Sequence, residues 1–236
     1  MRTVNVPVYT FDELAPKMQK KVLDEHRNAE TEFEWWDGVY EQWYEKLKEH
    51  GFTSCKIWFS GFYSQGDGAC FECSDFDIEK LIAEQKYNPI EAEIIRLCVE
   101  SVRIINLSSH YSHHNTKRFE VDQREIGDIQ YLLDTEDLLL VNLDNLEYGE
   151  ELKPLYELLI KYPSLKRLNP DELISDFRSR VEELRVNLCK EIYADLEKEY
   201  EYLTSDEAVK EYLAANEVEF LQNGDVWHES LTANVV

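Results

Sequence analysis

The sequence predicts an α+β fold, and three observations indicate it. Short segments with alternating or aromatic residues in the first half predict about four antiparallel strands. Amphipathic, aromatic-rich helical segments precede these strands, and a long segment with helical periodicity follows them. We therefore predict an antiparallel β-meander covered by N-terminal aromatic helices, with a long C-terminal amphipathic helix. The predicted domains are an α+β core over residues 1–124, with a central hairpin at 56–74, and a mainly helical acidic region over 125–236, packed on the core or projecting from it.

Two helices are predicted before the first strand of the hairpin. A capping box formed by Thr10 and Glu13 indicates the start of the first helix, which extends to about Arg27. The second extends from about Glu32 to Glu49, and its aromatic stripe predicts burial against the sheet. The stripe consists of Trp36, Val39, Tyr40, Trp43, Tyr44 and Leu47.

The central hairpin is predicted from the residues at its turn. Gln65, Gly66, Asp67 and Gly68 favour a tight turn, because glycine and aspartate tolerate the backbone angles of such turns. The first arm is partly apolar on both faces, which is typical of a strand covered by helices. Asp67 lies between two glycines, so it is both a common kind of turn residue and a candidate general base.

The second half of the chain is predicted to be helical after one more strand pair. Residues 101–122 alternate with period two and turn near His114, which completes the meander. The run from Leu138 to Val141 has the most apolar composition of the acidic segment and is predicted to be buried. The apolar stripe of residues 170–202 predicts either a helix that crosses the core or a homodimer contact. Another hairpin is predicted around Asn223 and Gly224.

The charge composition limits the partners of this protein. The chain has 49 acidic and 25 basic residues and a formal net charge of −24, which repels nucleic acid and anionic lipid and attracts basic proteins. No segment approaches the roughly 18 apolar residues of a membrane span. Five cysteines in irregular positions fit a reducing compartment. We therefore expect a cytoplasmic protein that binds neither nucleic acid nor membrane directly and needs no cofactor.

The acidic residues are densest near the C-terminus. Between Glu191 and Glu229, twelve acidic residues stand against Lys198 and Lys210. Helical acids three or four residues apart lie about 5–6 Å from each other, a spacing similar to that of phosphates along a nucleic acid strand. The row therefore predicts either a surface that mimics DNA toward a basic protein or an ordinary solvated helix face. The predicted partner-binding residues are Glu197, Glu201, Asp206, Glu211, Gln65 and Asp67.

Two alternatives would place chemistry at the central hairpin. Cys70 and Cys73, with His110 and His114, have the residue types of a zinc site, although residues three apart on a regular strand point to opposite faces. Asp67 and His110 could also serve a small hydrolase or nucleotide-processing enzyme. Neither pattern has the spacing of an established motif.

Four segments resemble a family of small phage and prophage proteins labelled as the antitoxin of a toxin–antitoxin stability system. The segments are TFDELAPKMQKKVLDEHR, IWFSGFYSQGDGACFE, HYSHH and LEKEYEYLTSDEAVKEYLAANEVEFLQNG. The resemblance covers roughly residues 8–75, 100–122 and 190–227, whereas about 125–185 is additional length. Together with the acidic composition, it predicts an antitoxin or a counter-defence protein of the anti-CRISPR type that neutralises a basic host or toxin protein. By itself, the resemblance implies a phage-encoded accessory protein that neutralises a host factor. It identifies no active-site residues.

Overall fold

A computed structural model describes residues 6–106, 117–124 and 126–228, and it confirms the α+β fold class. Twelve regular helices and strands follow one another in these ranges. The helices are α1 (Pro16–His26), α2 (Asp37–Glu49), α3 (Ile78–Gln85), α4 (Pro89–Cys98), α5 (Gly127–Asp134), α6 (Gly149–Lys161), α7 (Pro170–Leu203) and α8 (Asp206–Ala215). The strands are β1 (Phe52–Ser60), β2 (Gly68–Phe76), β3 (Val99–Asn106) and β4 (Lys117–Gln123).

The four strands form two antiparallel hairpins. Ile57 on β1 lies opposite Phe71 on β2, and Ile104 on β3 lies opposite Phe119 on β4. Strand β3 lies beside β2, but in the described residues each hairpin is its own two-stranded sheet. The predicted antiparallel strands are therefore confirmed, and the single meander is corrected to two hairpins. A meander needs a short connection between neighbouring strands, whereas β2 and β3 are joined through α3 and α4.

The first hairpin differs from its prediction at both ends. Its strands extend to Phe52 and Phe76, beyond the predicted limits, and the expected tight turn is a seven-residue loop from Gly61 to Asp67. Two contacts with α7 hold the start of this loop away from the ladder. The Tyr193 hydroxyl donates to the Gly61 carbonyl at 3.1 Å, and the rings of Tyr193 and Phe62 are 5.4 Å apart.

The chain divides into two compact units. The terminal unit comprises Met1–Val39 and Asp195–Val236, and the central unit comprises Tyr40–Ala194. The boundary passes through α2 and α7. The domain boundary predicted after residue 124 falls inside the central unit.

The terminal unit is closed by a short β-bridge. Tyr9 and Phe220 exchange two backbone hydrogen bonds of 2.9 and 2.8 Å, and Phe220 also pairs with Val226 across a turn at Gly224. Gly224 has φ of 85°, a conformation that favours glycine, so the predicted turn at this position forms. Phe220 is fully buried. The other buried residues of this core are Leu14, Val22, Leu23, Val209 and Leu213.

The N-terminal helices begin later than predicted. The Thr10 capping box forms, with the Thr10 amide donating to Glu13 at 2.9 Å, but it caps only a 3₁₀ turn, Phe11–Glu13. Helix α1 then begins at Pro16, because proline favours the first position of a helix. Helix α2 begins at Asp37 rather than near Glu32.

In the central unit, Leu138 to Val141 is the clearest error of the sequence prediction. Leu138 is buried, but Leu139 and Leu140 are 77% and 82% exposed. The run forms a 3₁₀ helix, Leu138–Leu140. Because such a helix has three residues per turn, its three side chains point in different directions. Only one of its three leucines can therefore face the core.

The apolar stripe of α7 is covered within the chain. Phe177, Val181 and Ile192 have no exposed surface, and most of the rest of the stripe is nearly as buried. These further residues are Leu173, Ile174, Leu188, Cys189 and Leu196. The stripe is therefore buried as expected for a helix that crosses the core, although Leu184 and Tyr200 remain partly exposed. The homodimer through residues 170–202 stays a prediction.

Candidate functional site

Negative charge is concentrated in the terminal unit. Its 81 residues contain 19 acidic and 7 basic residues, a formal charge of −12, so a third of the chain carries half of the net charge of −24. A charge density of this kind produces a field that attracts cationic proteins and repels phosphates. The exposed acids at the junction of α7 and α8 are therefore the first place to look for a binding surface.

Arg27 fixes the geometry of this junction. Its Nη1 donates to the Thr204 carbonyl at 2.8 Å, and its Nη2 donates to Asp206 Oδ1 at 2.8 Å. Ser205 caps α8 by accepting a hydrogen bond from the Ala208 amide at 3.1 Å. The end of α7 and the start of α8 are thus held together by one guanidinium group and one cap.

Tyr202 lies at the centre of the acidic residues of the junction. Its side chain is 51% exposed, and its hydroxyl donates to Glu211 Oε2 at 3.3 Å. The negative charge of Glu211 raises the pKa of Tyr202 above its ordinary value, and Glu207 and Glu30 add to this effect. We call Glu30, Tyr202, Glu207 and Glu211 the acidic patch. An exposed tyrosine that is hydrogen-bonded to Glu211 and lies in the negative field of Glu207 and Glu30 suits an arginine or lysine side chain, which can pair with a carboxylate and stack on the ring.

The patch overlaps only in part with the residues predicted from the sequence. Glu211 belongs to it, and the exposed Glu201 precedes Tyr202 on α7. Glu197 is half-buried, and Asp206 is exposed but ion-paired with Arg27. Gln65 and Asp67 belong to the central unit.

The sequence analysis missed Tyr202, Glu207 and Glu30. Two of these residues could have been predicted: Glu207 lies four residues before Glu211, and Tyr202 directly follows Glu201. Glu30 gave no signal, because it comes from the 3₁₀ turn Ala29–Thr31, far from α7 in the sequence.

We expect the pKa of Tyr202 to fall when the patch is neutralised. Glu207→Gln and Glu211→Gln each remove a carboxylate that disfavours the phenolate, so each should move the pKa toward the ordinary tyrosine value. Titration of ¹³C-labelled tyrosine by NMR measures this directly. Glu217→Gln, an exposed acid of the same unit, is the control and should leave the value unchanged. An unchanged pKa in both patch variants would contradict the described arrangement.

Asp67 closes the loop of the first hairpin. Its Oδ2 accepts hydrogen bonds from the Tyr63 amide at 2.9 Å and from the Ser64 amide at 2.6 Å. An aspartate that accepts from nearby backbone amides is a structural turn residue. His110 and His114 lie outside the described residues, so the pairing of Asp67 with His110 stays a prediction.

We expect Asp67→Ala to destabilise the protein by about 1 kcal/mol, because two backbone amides lose their acceptor at an exposed position. Asp67→Asn retains an acceptor oxygen and should recover most of the loss. Thermal denaturation measures both. If Asp67 were instead a general base, both variants would keep the stability of the natural protein and lose a hydrolytic activity together.

The two cysteines of the Cys70–Cys73 motif have different neighbours. Cys70 lies opposite Trp58, whereas Cys73 lies opposite Cys55 and donates to the Thr53 carbonyl at 3.2 Å. Within the described residues, no three His, Cys, Asp or Glu side chains are grouped so that they could hold a metal ion. Cys70 and Cys73, the two described members of the predicted zinc site, are therefore not part of a group that could bind a metal ion within these residues.

The fold and the patch define an α+β protein with a strongly acidic surface region. The chain belongs to the family described as a domain of unknown function, DUF8835, which matches residues 35–206, more than half of its length. The match includes Tyr202 and the first hairpin, whereas Glu30, Glu207 and Glu211 lie outside it. No curated protein and no solved structure matches the chain. None of the described helices is long and apolar enough to cross a membrane.

Proposed function

We propose that this protein is a phage-encoded inhibitor that acts in the cytoplasm of a bacterial host by binding and neutralising a basic protein. The observation that carries the proposal is the charge of the terminal unit, with 19 acidic and 7 basic residues, together with the acidic patch, in which the exposed Tyr202 donates to Glu211. The partner is a toxin, a nuclease or a defence complex with a cationic surface. The resemblance of four segments to proteins labelled as antitoxins supports the same class of function.

DNA mimicry is the physical basis of the proposal. Glu207 and Glu211 are separated by four residues on α8, and Glu197 and Glu201 have the same spacing on α7. Carboxylates with this spacing lie about 5–6 Å apart, close to the phosphate repeat of a nucleic acid strand. A groove that binds the DNA backbone through arginine and lysine would therefore accept the two acidic rows in its place. Occupation of the groove excludes the nucleic acid substrate.

The experiment compares the proteins captured from a bacterial lysate by three baits. The baits are the natural chain, a patch variant with Glu30, Glu207 and Glu211 changed to lysine, and a control variant with Glu150, Glu157 and Glu183 changed to lysine. All six glutamates are exposed, and both variants have the same net charge. We expect a basic protein that is captured by the natural chain and the control, is lost with the patch variant and elutes with salt.

The captured protein is then purified and assayed for its own nucleic acid binding or cleavage with and without the natural chain. Inhibition by the natural chain, together with loss of inhibition by the patch variant, supports the proposal. Equal capture by all three baits, or capture without inhibition, would overturn it.

A further inference from the structure

The first hairpin places two cysteines directly opposite each other. Cys55 on β1 lies opposite Cys73 on β2, and each thiol shifts the pKa of the other. Facing residues of antiparallel strands have Cβ atoms about 4.5–5.5 Å apart, and a disulfide needs about 3.5–4.5 Å. Only a small local movement is therefore needed to join the two sulfur atoms.

The backbone beside Cys55 is irregular. Ser54 has φ of 54°, an unusual conformation for a residue with a side chain, and the strand pairing passes from Thr53 directly to Cys55. The ladder is therefore interrupted at Ser54, directly beside Cys55, and it continues in the same register on both sides.

We propose that Cys55 and Cys73 form a reversible redox site that is oxidised to a disulfide by a low-molecular-weight disulfide of the glutathione type. Cys73 is the residue that attacks, and Cys55 is the residue that resolves the mixed disulfide. The site is independent of the inhibitor function proposed above, and it requires neither the acidic patch nor the partner.

Access to Cys73 is provided by an open cavity of about 540 Å³ between the two hairpins. Cys73, which is 5% exposed, lines it together with Lys56 on β1, Glu72 on β2 and Arg103 on β3. Glutathione disulfide carries several carboxylates, and cationic side chains at the mouth of a cavity attract such a molecule. Arg103 is also paired with Asp122 at 2.7 Å, and Lys56 lies opposite Glu72 on the ladder, so each of the two cations has an acidic neighbour.

The surroundings of the two cysteines indicate which one attacks the oxidant and which one resolves the mixed disulfide. The neighbouring Cys55 thiol lowers the pKa of Cys73, whereas Cys73 and burial raise the pKa of Cys55. In its thiol form the Cys73 Sγ also lies within donating distance of the Thr53 carbonyl on the opposite strand, at 3.2 Å, and of the Asp75 carbonyl on its own strand, at 2.5 Å. Burial raises the pKa of Cys98 to about 11 and that of Cys189 to about 12, so these two thiols are less reactive.

The chemistry is two successive thiol–disulfide exchanges. In the first, the Cys73 thiolate attacks one sulfur of glutathione disulfide, the sulfur–sulfur bond breaks, and one glutathione leaves and takes up the proton lost by Cys73. In the second, the Cys55 thiol loses its proton and attacks the Cys73 sulfur, and the second glutathione leaves as a thiol. Two electrons pass from the protein to the oxidant, which becomes two glutathione molecules. An excess of reduced glutathione reverses both steps.

The test incubates the full chain with glutathione disulfide, blocks the remaining thiols and maps the peptides by mass spectrometry. We expect a cross-link between Cys55 and Cys73, loss of two of the five titratable thiols, and full reversal by a dithiol reductant. Cys55→Ser should stop the reaction at a mixed disulfide on Cys73. Cys70→Ala should cross-link like the natural chain, and circular dichroism checks that both variants are folded.

Because the first result is obtained with the natural chain, it does not depend on the folding of any variant. A cross-link between Cys70 and Cys73 would overturn the proposal, and so would five unmodified thiols or mixed disulfides that never resolve to Cys55 and Cys73.

Discussion

Changing Glu30, Glu207 and Glu211 to lysine together is expected to weaken binding of the basic partner proposed above by about a thousandfold. Each reversal replaces an attraction with a repulsion, which we set at about 1.4 kcal/mol, or tenfold, per residue. Isothermal titration calorimetry over a series of salt concentrations measures the effect. The dependence of affinity on salt should also become weaker, because fewer ions are displaced on binding.

Two controls separate the patch from the general charge of the protein. The variant with Glu150, Glu157 and Glu183 changed to lysine has the same net charge and should keep the affinity within a few fold. Tyr202→Phe keeps the aromatic ring and should bind better than Tyr202→Ala, because the ring stacks on a cation. An equal loss of affinity in the two triple variants would show that the patch is not the binding surface and that only the net charge of the protein matters.

Gly149→Ala is expected to have the largest effect on stability. Gly149 is the first residue of α6, and a Cβ atom at this position would lie 2.0 Å from the Leu143 carbonyl oxygen and 2.8 Å from its carbonyl carbon. Both atoms belong to the backbone, so they cannot move aside as a side chain can. We expect a loss of about 3 kcal/mol in the free energy of unfolding, measured by urea denaturation.

Gly127→Ala is the matched control. Gly127 is the first residue of α5, and nothing lies within 4 Å of the Cβ atom that alanine would add. Alanine is a better helix former than glycine by about 1 kcal/mol, so this variant should be neutral or slightly stabilised. A Gly149→Ala protein as stable as Gly127→Ala would show that α6 and the turn Leu143–Asn145 are not as close as described.

The sequence predicted those elements whose causes are local. Asn88 caps α4 through hydrogen bonds from the Ile90 and Glu91 amides, and the interactions span only three residues. The loop Gly61–Asp67 was mispredicted because Tyr193, 132 residues away, supplies the hydrogen bond to Gly61. No local pattern of glycines and aspartates contains that information.

The same distinction applies to the candidate sites. The abundance of acidic residues near Glu201 and Glu211 is visible in the composition, but the position of Glu30 beside Tyr202 depends on the fold. Among the cysteines, the short sequence spacing of Cys70 and Cys73 suggested a shared site, but these two residues do not face each other in the hairpin. The register of β1 and β2 brings Cys55 to Cys73, and register is set by pairing across the hairpin rather than by spacing along one strand.

The Arg27 contacts at the junction of α7 and α8 have a kinetic consequence. Because Thr204 and Asp206 are already held by Arg27, the end of one helix and the start of the next are ordered before any partner arrives. A binding surface that is ordered in advance loses little conformational entropy on association. Differences in affinity between related complexes reside mostly in the dissociation rate. If the protein inhibits its target only while it is bound, the Arg27 contacts would lengthen the time for which the target remains inhibited. Arg27 itself need not touch the target.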